Sequence, residues 1–359
     1  MSRIYLDHAA TTPLRPEARE AMLRGFELWA NPSSPHAEGR KARAALEDAR
    51  ERIKAALGWD GELIFTSGAS EALAIGLGRA KVERRIVSAV EHEAVFRAAP
   101  DAEIVPIVSE QRSILYGTPD LSVLERLLGE PGRALVAVQL INSETGTILL
   151  PMVHNEAIER THAAGGLLLC DASQKEASRP LPDGVDLAVI SGHKSGGPIG
   201  IGALLVRDFA MLEPSGGHER GYRSGTENLP GALGLAAALE SNGIESWATT
   251  VRQRFDFQDA LYAAGEVVAP GGHCSHIFAC AHETLSAQAQ LIRLDAMGFD
   301  VSAGSACSSG TLKRSRALEG FGIAEDVAAR TIRVSLGWNT TPDELDRFAE
   351  AWLQLARSG

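Results

Sequence analysis

The chain has 359 residues, enough for one large α/β unit and a smaller companion, and its 45 % hydrophobic content allows a full core. Asp and Glu number 46 against 35 Lys and Arg, a formal net charge of −11, which argues against nucleic acid or an anionic membrane as the main partner. The opening MSRIYLDHAATTP lacks the basic and apolar regions of a secretory signal, and no run approaches the about 18 apolar residues of a membrane span. Four cysteines without a CxxC are no disulfide framework, so a cytoplasmic location is the expectation.

In chain order, residues 38–57 place Ala42, Leu46, Ala49, Ile53 and Leu57 on one face of a predicted helix. The strand ELIF (62–65) turns at Ser67-Gly68 and opens a second helix. Short runs rich in Val, Ile and Leu follow: RRIVSAV, AEIVPIV, RALVAVQLI, GLLLCD, DLAVIS and GALLV. Their weak alternation is that of strands buried on both faces, which predicts an α/β fold with a mostly parallel sheet flanked by helices. After residue 235 helical segments dominate, with short strands expected near 276–281, 299–302 and 331–336. TPDE (341–344) is a capping box that opens a last helix. This final third reads as a smaller α+β domain.

Several glycine-rich turns invite a nucleotide reading, but GxxxxGK[ST] and GxGxxG are both absent. A different constellation stands out. Asp171 ends one predicted strand and Lys194, in SGHKSGG, follows the next, so an acid and an amine share the rim where α/β sheets bind ligands. Alone, the two read equally well as a salt bridge. Gly68, Ala69 and Ser70 open a helix after a strand, either an ordinary N-cap or a phosphate site, and His193 is a further phosphate donor. An aldehyde cofactor with a pyridine ring and a phosphate needs this set: an amine for the carbonyl, a carboxylate for the ring nitrogen and a helix start for the phosphate. That cofactor is pyridoxal 5′-phosphate.

The chain also carries YLDHAATTP (5–13), NPSSPHAEGR (31–40), FTSGASE (65–71), EHEAV (91–95), INSETGT (141–147), DASQ (171–174), SGHK (191–194), GGHERGYRSGTEN (216–228), SAGSACSSG (302–310) and IRVSLG (332–337). In these motifs and their order it resembles the cysteine desulfurases, the long-loop GSAC class of the class V aminotransferase family with the fold of fold-type I pyridoxal-phosphate enzymes. The resemblance implies a large cofactor domain over 15–235 and a small domain made of 1–14 and 236–359, the latter carrying a mobile cysteine loop at about 302–312. It implies that Lys194 carries the cofactor covalently and serves as base, Asp171 pairs with the ring nitrogen, Gln174 bonds the phenolic oxygen and His92 stacks on the ring. Ser70, Ser191 and His193 would hold the phosphate, with Gly68 and Ala69 in the same turn, and Ser143 would lie beside the ring oxygen where the family has Asn. Thr226 would reach the phosphate of a second subunit, making the protein a homodimer with shared sites. Arg333 would clamp the carboxylate of L-cysteine, and Asn31 would line the substrate pocket.

Cys307 sits among small residues that offer little to bury it, whereas Cys170, in LLLCD, reads as a core residue. By resemblance Cys307 takes the substrate's sulfur as a persulfide, alanine is released, and the sulfur passes to an acceptor, an iron–sulfur scaffold or a thiolation relay. A selenocysteine lyase, another class V aminotransferase and a degenerate scaffold subunit are the alternatives. GGHCSHIFACAH (271–282) holds His273, Cys274, His276, Cys280 and His282, yet their spacing fits no zinc pattern. It is read as a divergent strand, with no metal expected.

Overall fold

The computed structural model describes residues 3–109, 117–150, 155–175, 179–303 and 314–357. The Val-, Ile- and Leu-rich runs form one seven-stranded sheet. In chain order its strands are β1 (Glu62–Thr66), β2 (Arg84–Ser88), β3 (Glu103–Val105), β4 (Ala134–Gln139), β5 (Leu167–Asp171), β6 (Leu187–Ser191) and β7 (Gly202–Val206). They lie in the order β1-β7-β6-β5-β4-β2-β3, and β7 alone runs against its neighbours.

Every residue of β4 to β7 is buried. Successive side chains alternate between two cores: Val136, Leu168, Ala188 and Leu205 pack on one face, and Leu135, Leu169, Val189 and Leu204 on the other. Helices cover both faces, so the strand interiors are apolar, polar residues fall at the strand ends, and no polar alternation survives in the sequence. The first helices are α1 (Pro16–Glu27), α2 (Ala37–Leu57), α3 (Ala69–Arg79) and α4 (Glu93–Ala98). In α2 the five expected positions are all buried. The helix is capped by His36, whose Nδ1 accepts from the Gly39 N–H at 3.2 Å, and stops at Gly58 in the left-handed region.

A second, antiparallel sheet has its own core. Its strands β8 (Glu266–Val267), β9 (Ile277–Ala281), β10 (Ser302–Ala303) and β11 (Thr331–Ser335) lie in the order β8-β9-β11-β10. Phe257, Phe278, Phe299, Phe348 and Trp352 fill the space beneath it. The last helix, Pro342–Arg357, starts with the expected capping box: the Thr341 N–H donates to Glu344 Oε2 at 2.8 Å, and the Glu344 N–H to Thr341 Oγ1 at 3.4 Å. The strand expected at 299–302 is two short pairings, Phe299–Asp300 with Ile4–Tyr5 and Ser302–Ala303 with β11.

The histidine- and cysteine-rich stretch is dispersed by the strand it enters. Cys274 joins the main core and Cys280 the small one, where burial pushes its thiol up to about 12. The His282 ring is held by the Leu355 carbonyl and by the Thr284 and Leu285 N–H groups. Among the described residues no three His, Cys, Asp or Glu side chains form a group able to hold a metal ion. Among them, too, no helix is long and apolar enough to cross a membrane.

Candidate active site

Strands β1, β2, β4, β5 and β6 point the same way, so the chain leaves all five at one rim of the sheet. The residues that follow line a single cavity of about 1390 Å³: 67–71 after β1, Glu91 and His92 after β2, and Asn142, Ser143 and Glu144 after β4. Asp171 and Gln174 come from the end of β5, and Ser191, His193 and Lys194 from the end of β6. This is where ligands of open α/β sheets bind. The small sheet closes the cavity with Arg333 and Ala303, joined by 314–317.

At one end lies the start of α3. Gly68 has φ +153° and ψ −178°, a backbone conformation essentially confined to glycine, and an added Cβ there would meet nothing within 4 Å. The first backbone bond of the helix runs from the Ala72 N–H to the Gly68 carbonyl, which leaves the preceding N–H groups without an intrahelical acceptor. Ser70 lines the same end, and Ser191 Oγ is buried without a hydrogen-bond partner among the described residues. The His193 ring is held through Nδ1, 3.2 Å from Thr11 Oγ1. These groups form a donor-rich, open-sided cradle suited to a phosphate.

At the centre Asp171 is buried, and its Oδ1 accepts from the Ser173 N–H at 2.9 Å. Burial lowers the pKa of Lys194; the negative Asp171 opposes that shift and the positive Arg333 adds to it. An amine so placed is a better nucleophile and base than a surface lysine. His92 caps α4, its Nδ1 accepting from the Ala94 N–H at 3.1 Å, so the neutral ring carries its proton on Nε2. Burial and then the Lys194 charge hold its pKa below the usual histidine value. Gln174 donates one amide hydrogen to the Ala9 carbonyl at 2.8 Å.

Arg333 reaches in from β11. Its Nη1 donates to the Ser143 carbonyl at 3.0 Å and its Nη2 to Asp7 Oδ1 at 2.7 Å. Two residues carry different expectations, Asn31 at the substrate pocket and Thr226 at the phosphate of a second subunit. Thr226 is exposed, and Asn31 is exposed with its Oδ1 accepting from the Ser33 N–H at 2.8 Å; neither lines the cavity. Cys307 lies outside the described residues, but both flanks of the 304–313 segment, Ala303 and Arg314, line the cavity.

Sequence reasoning missed three acidic groups. Asp7 is the ion-pair partner of Arg333. Glu91 is buried beside the rim, its Oε1 accepting from Ser88 Oγ at 2.5 Å and from the Gln139 N–H at 2.9 Å, while Oε2 has no partner among the described residues. Burial pushes its pKa up to about 8, and the charge of Asp171 adds to the shift. Glu144, whose pKa burial also raises, accepts from Ser315 Oγ at 2.6 Å. All three lie inside motifs already singled out, but an acid beside a histidine or a serine reads equally well as a solvated one.

The chain belongs to the class V aminotransferases: the family profile Aminotransferase class-V matches residues 4–348. Within that class its relatives are cysteine desulfurases. It is 35 % identical to the cysteine desulfurase of Cereibacter sphaeroides, over 98 % of this chain and 95 % of that one. A NifS-like protein from Rickettsia africae superposes with a TM-score of 0.85 at 27 % identity, over 99 % of this chain and all of that one. The structure of SspA in complex with cysteine does so with a TM-score of 0.77 at 26 % identity, over 94 % and 100 %. The seven-stranded sheet with its smaller partner sheet is thus the fold-type I architecture.

Proposed function

We propose that the chain is a pyridoxal-phosphate-dependent cysteine desulfurase, which converts L-cysteine to L-alanine and passes the sulfur through a persulfide on Cys307 to an acceptor. The observation that carries this reading is that Lys194, Asp171, the start of α3 and Arg333 all line one cavity. The residues fit the cofactor: the buried, unpartnered Ser191 Oγ and the open side of Gly68 suit its phosphate, and Asp171 suits a protonated ring nitrogen. Bound there, the cofactor supplies an electron sink for the substrate Cα.

The chain's own residues divide the remaining work. Lys194 would hold the cofactor covalently and move the Cα proton at Nζ, helped by its lowered pKa. Gln174 keeps a second amide hydrogen that would bond the phenolic oxygen, and His92, with its proton on Nε2, would stack on the ring. Ser70 and His193 would join Ser191 around the phosphate. Arg333 would orient the substrate carboxylate. The flanks of 304–313 at the cavity support Cys307 as the sulfur acceptor, and the burial of Cys170, Cys274 and Cys280 removes those three thiols from contention.

The same proposal extends to organisation. The seven-stranded sheet falls within 15–235 and the four-stranded sheet within 236–359, each with its own core, which supports that division into two domains. Thr226 and Asn31 do not line this chain's cavity, which suits a homodimer in which a second copy brings them to it. The acceptor would be an iron–sulfur scaffold or a thiolation relay. Three buried, unpaired cysteines suit a reducing cytoplasm.

The test is the yield of alanine and sulfide from L-cysteine, with a thiol reductant present, for the wild type, Lys194→Ala and Cys307→Ala. Both variants should lose turnover, while Cys307→Ala keeps the visible absorbance of bound cofactor. Full turnover without Cys307 would remove it from the mechanism.

A further inference from the structure

Arg333 is not an unsupported side chain waiting for a ligand. Its side chain is 9 % exposed and its guanidinium is fixed from two sides, with Nη1 on the Ser143 carbonyl and Nη2 on the carboxylate of Asp7. Its Nε is buried with no partner among the described residues. Asp7 is itself anchored. Its backbone bridges Ser335, two positions beyond Arg333 on the same strand, and its carbonyl accepts from Tyr5 Oη at 3.2 Å. Arg333 lines the cavity and Asp7 does not, so Asp7 acts on a carboxylate bound there through the arginine, beside a small direct effect of its charge on Lys194.

A long arginine side chain loses considerable rotamer freedom when its fork is presented in one orientation, and a buried guanidinium without a counter-ion tends to turn toward any nearby carboxylate. Glu144, which lines the same cavity and feels the Arg333 charge, is such a carboxylate. We infer that Asp7 is a positioning residue: it holds the Arg333 fork away from Glu144 and aimed at the substrate's α-carboxylate, and so selects amino acids over amines and amides of the same shape. The inference rests on Arg333 being the carboxylate clamp of the proposed function.

The experiment titrates holoenzyme with L-alanine and with L-alaninamide, which lacks the carboxylate, and follows the change in visible absorbance. Asp7→Ala should weaken L-alanine about tenfold, a loss of about 1.4 kcal/mol, and alaninamide less than about twofold. Asp7→Asn keeps an acceptor for Nη2 and should recover about half of the loss, leaving L-alanine roughly threefold weaker. Should the alanine variant fail to fold, that selective loss in Asp7→Asn decides the matter. Parallel weakening of both ligands would mean general damage to the site, and unchanged L-alanine affinity would mean no positioning; either overturns the inference. Arg333→Ala separates the two levels. If it leaves L-alanine affinity intact, the clamp itself is wrong. If it abolishes that affinity while both Asp7 variants bind normally, only the role of Asp7 falls.

Discussion

Replacing Glu91 with glutamine should stabilise the protein, and by more as the pH rises. Glu91 is buried beside the rim, and its pKa is pushed from 4.5 up to about 8. A carboxyl raised on folding binds its proton in the folded state across pH values where the unfolded chain has already released it. Stability from this group is therefore fully present below about pH 4.5 and falls as the pH rises toward 8, with no further loss beyond. At about 1.4 kcal/mol for each pH unit, the window corresponds to a loss on the order of 5 kcal/mol, an upper figure because local water entry relaxes buried charges.

Glutamine copies the neutral acid. Its Oε1 can accept the two bonds that Ser88 Oγ and the Gln139 N–H now make, and its amide nitrogen takes the place of the unpartnered Oε2. Chemical denaturation of cofactor-free wild type and Glu91→Gln at pH 5, 6, 7 and 8 should give curves that nearly coincide at the acid end and separate steadily, with the variant more stable. A constant difference across the series, or a wild type that gains on the variant with rising pH, would refute a protonated Glu91.

Gly68→Ala places a Cβ on a backbone that only glycine adopts easily, a strain on the order of 1–3 kcal/mol. Thermal melting should fall accordingly, and fluorescence titration of the cofactor-free protein should show weakened pyridoxal-phosphate binding; full folding with unchanged binding would refute the cradle. Alkylation of the native protein with iodoacetamide, followed by mass spectrometry, should label Cys307 and spare the other three thiols. Cys170 and Cys280 are buried, with pKa values raised well above the thiol range and to about 12, and Cys274 is buried too. Labelling of Cys170 before unfolding would contradict the core that encloses it.

What the sequence made legible was whatever follows from local pattern plus one topological rule. Leu167–Asp171 and Leu187–Ser191 read as strands because both faces are apolar. Since they are parallel neighbours, Asp171 and the residues just past Ser191 had to emerge at one rim. What stayed hidden depends on contacts between distant parts of the chain. Asp7 and Arg333 are 326 positions apart, and the raised pKa of Glu91 depends on burial that no single motif records. The opening YLDHAATTP is the clearest case. As a string it shows one short apolar start and a few small residues. In the fold, Asp7 holds Arg333, the Ala9 carbonyl takes the Gln174 amide, and Thr12 donates through its N–H to the His193 carbonyl and through Oγ1 to that of Lys194. A segment that also pairs with the small sheet at Ser335 thereby sets the distance between the lysine rim and the arginine strand. Its small residues sit in that passage, with Ala9 buried, Ala10 half-buried and both lining the cavity shared by Lys194 and Arg333.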